Sequence, residues 1–195
     1  TTGDIIVHSN VTFDDYIGHE EAKKKGRTLC KFLQNPESFE RDGTQPKTGI
    51  LLHGGTRTGK SFYIQCLQGE IEKAVGHDVE MRLWKVPSSW IFDSNIGIEK
   101  IMLAARQNAP CIVVIEEIDL LGLQRVENKH LLSQFMTTMS SCLEDNQSDK
   151  VVIIVATTNK LENLEPALRQ EGRFGTHIHF DYPTCAERTL YIEKE

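Results

Sequence analysis

Long apolar runs are missing from this chain. The longest, Val151 to Ala156, has six residues, and Ile112 to Ile115 is shorter. Both fall far below the ~20 residues that a membrane-spanning helix needs. Basic tracts are missing too. The formal net charge is −6, so a sequence-independent grip on nucleic acid through a broad cationic face is disfavoured, and only a local basic patch stays open. The start carries no signal-peptide pattern. Cysteine is sparse: Cys30, Cys66, Cys111, Cys142 and Cys185 are odd in number, widely spread and form no C-x-x-C. That spacing predicts small buried hydrophobes in a reducing, intracellular compartment, not disulfides or a zinc site. There is no internal repeat and no low-complexity stretch. Nor is there an H-E-x-x-H, because His19-Glu20-Glu21 runs on into Ala22-Lys23; no peptidase motif is expected in this segment.

What is present is ordinary for a soluble globular protein: 39% hydrophobic and 26% charged residues in a chain of 195. That length supports one sizeable core and a small extra lobe. The chain opens Thr1-Thr2 without Met, which predicts a segment of something longer; a membrane tether would then lie outside it.

The most informative stretch is Gly54-Gly55-Thr56-Arg57-Thr58-Gly59-Lys60-Ser61. It reads G-x-x-x-x-G-K-[ST], follows the apolar run Gly49 to His53, and precedes a segment, Phe62 to Lys73, that can open a helix. This is the setting a phosphate-binding loop requires. Glycines let backbone N–H groups turn inward around an anion. The helix N-terminus adds unsatisfied donors and the positive end of its dipole. Lys60 can reach the outer phosphates and Ser61 can ligate Mg²⁺. A Gly-rich hairpin is the competing reading, and the Lys-Ser ending argues against it. Arg57 stands where many such loops have Gly; if the position needs positive φ, Arg is strained there.

Strand-like and helix-like segments alternate along the chain. The first ten residues read as an arm. Glu20 to Leu33 has helical spacing, with the lysines 23, 24 and 25 on a solvated face. Residues 34 to 47 carry the loop signals Asn35-Pro36, Asp42-Gly43 and Pro46. Strands are expected at 49–53, 79–86, 111–115, 151–156 and 177–180, and helices at 61–73, 96–107 and 129–143. In the last helix, Leu131, Leu132, Phe135, Met136, Met139 and Leu143 form a core stripe. β-Branched runs between helices predict an α/β fold: a three-layer α/β/α sandwich around a mostly parallel, five-stranded sheet. His177 and His179, with no Cys or further His nearby in sequence, read as solvent-facing strand residues and not metal ligands.

Ile112 to Ile115 runs into Glu116-Glu117-Ile118-Asp119. Carboxylates at the carboxyl end of a central parallel strand face the same crevice as the phosphate loop. One can hold the Mg²⁺ water shell and the next can polarise an attacking water. The following strand ends in Thr157-Thr158-Asn159, where an amide can orient that water or touch the terminal phosphate. Glu171-Gly172-Arg173-Phe174 places an arginine in an exposed turn, a surface charge unless it reaches across an interface to a transferred phosphate.

The order of these pieces resembles the AAA family of ATPases, in particular the AAA module of FtsH-type membrane-anchored proteases. The resemblance is carried by Val11 to Lys23 (VTFDDYIGHEEAK), Phe32 to Phe39 (FLQNPESF), Asn108-Ala109-Pro110-Cys111, and Leu164 to Leu168 leading to Gly172-Arg173-Phe174. It covers roughly residues 11 to 185, so that 1–10 form the arm and 11–195 the large, nucleotide-binding subdomain. It implies the P-loop NTPase fold, ATP or ADP as ligand and Mg²⁺ as cofactor. Ile17, Gly18 and His19 would lie against the adenine. Gly55, Thr56, Arg57, Thr58, Gly59, Lys60 and Ser61, with Phe62 behind them, would wrap the phosphates. Glu116 and Ser61 would serve the metal, Glu117 would activate water, Asn159 would be the sensor and Arg173 a finger acting in trans. The implied activity is ATP hydrolysis in a ring, usually a hexamer, that pulls on a polypeptide; a mixed ring with related subunits is a variant of this.

Several residues depart from the family pattern. Glu116 replaces an Asp and is one methylene longer, and a displacement of about 1 Å can be costly in catalysis. Thr176 stands where a second Arg is frequent, and Gln170-Glu171 replace Arg-Pro. The span from Val86 to Ala105 is short for a pore loop. Either Trp90-Ile91-Phe92 supplies one, or Trp90 is a core residue and the loop is truncated. The chain stops near Glu195, where the helical lid should begin, so the lid is expected to be absent or truncated. Glu116, Thr176 and Arg57 keep a second function open, a slow or non-hydrolysing nucleotide-binding subunit of such a ring. A DNA-remodelling ATPase is a third reading, disfavoured by the acidic charge.

Overall fold

Six strands and five α-helices carry the described part of the chain. The computed structural model describes residues 5–35, 47–76, 80–93, 95–120, 129–146 and 150–194; the loop signals at 36–46 and Val79 lie outside them. In chain order the elements are β1 (Ile5–Ile6), α1 (Glu20–Gln34), β2 (Gly49–Gly54), α2 (Lys60–Val75), β3 (Arg82–Pro87), α3 (Gly97–Gln107), β4 (Cys111–Glu116), α4 (Lys129–Glu144), β5 (Val152–Thr158), β6 (Thr176–Phe180) and α5 (Cys185–Lys194). Short 3₁₀ turns occupy Ser88–Ile91, Leu161–Asn163 and Pro166–Arg169.

The strands form one sheet in the order β1-β3-β4-β5-β2-β6. All neighbours pair in parallel except β1, which runs antiparallel to β3 through Ile5 opposite Trp84 and Ile6 opposite Leu83. The five expected strands are therefore present, but the sheet has a sixth. Ile5–Ile6 is too short to show a period in the sequence, and the expected arm contributes an edge strand.

The central strands are apolar on both faces because both are covered. On one face Leu52, Ile112, Val114, Ile153 and Val155 pack with Leu29 of α1 and with Tyr63, Leu67 and Ile71 of α2. On the other, Leu51, Val113, Ile115 and Ile154 pack with Ile101 and Met102 of α3 and Phe135 and Met139 of α4. Continuous β-branched runs have this consequence in parallel sheets. Phe135 and Met139 are fully buried, as the stripe on α4 predicts. Trp90 and Phe92 are half-buried against the second cluster and Ile91 is buried within it, so this trio packs on the core.

Two expectations about single residues need correction. Lys23 is not solvated: its ammonium is buried, donates to the Tyr16 carbonyl at 2.9 Å and pairs with Glu20. A buried ammonium is tolerable only with such partners. All five cysteines are free, but only four are buried; Cys185, at the start of α5, is exposed. Burial pushes the Cys30 and Cys111 thiols up to about 12, which makes them inert. Among the described residues no helix is long and apolar enough to cross a membrane.

Candidate functional site

β2 delivers its last residue, Gly54, directly into the loop Gly55 to Gly59, and α2 starts at Lys60. The turn depends on backbone geometry more than on side chains. Gly59 has φ +93° and caps α2 without any side-chain hydrogen bond; a Cβ there would stand 2.7 Å from the Tyr16 hydroxyl. Glycine is the residue that meets both demands. Thr58 closes the loop from within, its hydroxyl donating to the Gly55 carbonyl at 2.9 Å. Arg57 sits at φ +61° with its side chain exposed, so the condition that the sequence left open, a left-handed position, is met. A non-glycine residue there carries a cost of about 1 kcal/mol. Arg57→Gly should therefore raise the melting temperature by about 2–4 °C, checked by thermal unfolding of both proteins.

The Lys60 ammonium is buried and donates to the Gly54 carbonyl at 2.7 Å, the Gly55 carbonyl at 2.6 Å and the Asn159 side-chain oxygen at 3.0 Å. Burial lowers its pKa. No carboxylate neutralises it among these partners, so its charge remains available to an anion. Asn159 follows β5 directly, and Lys60 thus links two segments that are 99 residues apart in sequence.

The acidic turn follows β4. Glu116 is the last strand residue, opposite Pro87 of β3. Glu117 is exposed with φ +54°, a second non-glycine residue in the left-handed region. The turn is held by β5: the Glu117 N–H donates to the Thr157 hydroxyl at 3.3 Å and the Ile118 N–H to the Thr157 carbonyl at 3.0 Å. Asp119 is buried and accepts the Thr158 hydroxyl at 2.7 Å. Strained backbone fixed by several partners is a mark of functional turns.

These segments enclose a cleft of about 710 Å³, within the range of about 300–1,000 Å³ usual for small-molecule sites. Thr56 to Phe62 line one side and Glu116, Glu117, Thr157 and Asn159 the other, with Ser88 and Ser89 after β3. Sequence reasoning did not single out Thr157, Ser88 or Ser89; hydroxyl residues at strand ends carry no motif of their own.

Ile17, Gly18 and His19 do not line this cleft. They lie on its flank, where Tyr16 stacks on Phe62 with ring centroids 5.7 Å apart. The unforeseen helix α5 packs there: the Tyr191 hydroxyl donates to the Ile17 carbonyl at 3.1 Å, and the Glu187 carboxylate lies over Gly18. The His19 ring sits against Phe180, 4.9 Å between centroids. Arg173 is elsewhere again. A Cβ on Gly49 would overlap the Arg173 carbonyl, which puts the residue at the amino-terminal end of β2. That is a strand length, ~17 Å, from the phosphate loop. Its guanidinium donates to the Ala167 carbonyl at 2.7 Å, and its Nε is buried without a partner among the described residues.

The family described as ATPase family associated with various cellular activities (AAA) matches residues 50–182, from β2 to just beyond β6. The chain belongs to the AAA family of ATPases. Its P-loop NTPase fold, with a mostly parallel sheet between helices, is that of the AAA domain. Similar proteins include an ATP-dependent zinc metalloprotease YME1 homolog of Schistosoma mansoni, 31% identical over 98% of this chain and 30% of its own length. The ATP-dependent zinc metalloprotease FTSH 8, chloroplastic, of Arabidopsis thaliana is 32% identical over 93% of this chain and 27% of its own. The FtsH enzyme of Rhodothermus marinus is 32% identical over 95% and 27%. The chain thus corresponds to under a third of these relatives, and to their AAA part.

Proposed function

We propose that this AAA module binds ATP and hydrolyses it with Mg²⁺, and that hydrolysis drives remodelling or unfolding of a polypeptide. The observation that carries the reading is the cleft itself. The buried Lys60, the loop residues Thr56 to Ser61 at a helix N-terminus and the adjacent acids Glu116 and Glu117 line it together. Nucleotide phosphates need the first two, and a metal ion with an attacking water needs the third.

The donor set fits Mg²⁺. Ser61 and Glu116 offer hard oxygen ligands at the cleft, which suit an ion that keeps several waters. When bound there, Mg²⁺ would offset negative charge on the nucleotide phosphates. The chain's own residues do the rest. Loop amides from Gly55 to Ser61 hold the phosphates, and Lys60 turns from the Gly54 and Gly55 carbonyls towards them. Glu117 orients and deprotonates the attacking water, and Asn159 aligns it. Ile17, Gly18 and His19 would meet the base on the flank beside Phe62.

Arg173 cannot reach the phosphate loop of its own chain, and it therefore supports action on a neighbour in a ring, for which a hexamer or a mixed ring with related subunits is the natural form. Arg173→Ala should lower turnover of the assembled protein ~10-fold or more while nucleotide affinity of a single chain stays unchanged. Equal loss of binding in a dilute monomer would show that Arg173 supports its own fold. In this reading residues 11–195 form the nucleotide-binding unit of a longer chain.

A second reading, a slow or non-hydrolysing ring subunit, rests on Glu116, Thr176 and Arg57, the last held at φ +61° in the phosphate loop; Trp90, Ile91 and Phe92 pack on the core. ATP turnover by assembled protein, measured against Glu117→Gln, separates the two. Nucleotide binding and assembly with no turnover above that control would establish the second.

A further inference from the structure

His53 immediately precedes the phosphate loop, and parallel pairing sets it opposite His179. His177 lies two residues before His179 on the same face of β6, opposite Leu51, so the pair that meets near the carboxyl ends of β2 and β6 is His53 and His179. The sequence hid this, because His53 and His179 are 126 residues apart. Their Nδ1 atoms are 3.2 Å apart. The His179 Nε2 lies 2.9 Å from an Asp181 carboxylate oxygen, and the His177 Nε2 lies 3.2 Å from the Arg169 carbonyl. A carboxylate and a carbonyl only accept, so in neutral rings both Nε2 atoms carry the hydrogen and both Nδ1 atoms carry the lone pair. The His179 lone pair therefore faces His53.

This is how metal-binding histidines are prepared. Their second nitrogen donates to a carboxylate or carbonyl, which fixes the tautomer and raises the basicity of the ligating one. The spacing agrees as well: tetrahedral coordination with Zn–N bonds of about 2.0–2.1 Å puts two nitrogens about 3.3–3.4 Å apart. No group of three or more His, Cys, Asp or Glu is gathered for a metal among the described residues, and the His177 ring centroid stays 6.5 Å from that of His53.

We propose that His53 and His179 form a two-imidazole site for a divalent transition ion that prefers nitrogen, such as Zn²⁺ or Cu²⁺, with Asp181 orienting His179 and water completing the shell. The ion would clamp β2 to β6 one residue before the phosphate loop. The site does not depend on the nucleotide reading.

Metal-free, reduced protein titrated with Zn²⁺ in excess Mg²⁺ tests it. One Zn²⁺ should bind, with the His53 and His179 ring ¹⁵N shifts moving together. Cys185→Ser should bind as the parent does. His53→Gln and His179→Gln should each lose most of the affinity, and Asp181→Asn about 10-fold. Unmoved ring shifts on the parent protein would overturn the site and leave the pair as an Nδ1–H···Nδ1 hydrogen bond. Undiminished Zn²⁺ uptake by folded His53→Gln and His179→Gln would overturn it too. The ring shifts need no variant, so a substitution that unfolds the chain does not decide the matter.

Discussion

Lys60→Ala should reduce ATP affinity by about 30-fold or more and leave no measurable turnover. The ammonium is buried and held by two loop carbonyls and Asn159; it brings a positive charge to a cleft whose other charged groups, Glu116 and Glu117, are acidic, apart from the exposed Arg57. Removing one partner of a desolvated charge pair costs about 2–5 kcal/mol, which is a factor of about 30 to several thousand. Equilibrium binding of a fluorescent ATP analogue checks it, with far-UV circular dichroism as the fold control. The fold should survive, because no carboxylate loses its counter-charge when Lys60 is removed. Unchanged affinity would mean that the loop does not receive phosphates.

Glu117→Gln should separate binding from chemistry. The amide keeps the size of the side chain and the left-handed turn, which is fixed through the backbone by Thr157, but it cannot take a proton. Loss of a positioned general base costs about 10²–10⁴-fold in rate. Single-turnover hydrolysis should slow by that factor while nucleotide affinity stays within about twofold of the parent. Glu117 is exposed and its side chain has no role in the core, so the rate should not fall through instability. If turnover is already at the level of this variant in the parent protein, the chain is a binding subunit.

Much of this was legible in the sequence because it rests on local signals. The loop from Gly54 to Ser61 needs glycines at fixed offsets, and the strands at 111–116 and 152–158 are runs of β-branched residues that only a doubly covered sheet accommodates. That Arg57 is an unusual residue for its place followed from knowing the loop; its left-handed φ did not. What escaped depends on contacts distant in sequence. β1 has two residues and exists only because β3 offers an open edge. Lys23 looked solvated until the Tyr16 carbonyl and Glu20 were seen to surround its ammonium. The approach of His53 to His179 needs the register of β2 against β6. Helix α5 was missed because its apolar residues, among them the exposed Leu190 and Ile192, do not form one buried stripe, and its anchor on Ile17 is a single tyrosine hydroxyl.

The two threonines that end β5 both hold the turn that follows β4. Thr157 holds the peptide of Glu117, Thr158 holds Asp119, and the next residue, Asn159, touches Lys60. The acidic turn and the ammonium are therefore both tied to three consecutive residues at one strand end. A displacement of that strand end would carry the acidic turn and the ammonium with it, so the spacing across the cleft is set by a rigid piece of backbone and not by the side chains that meet there.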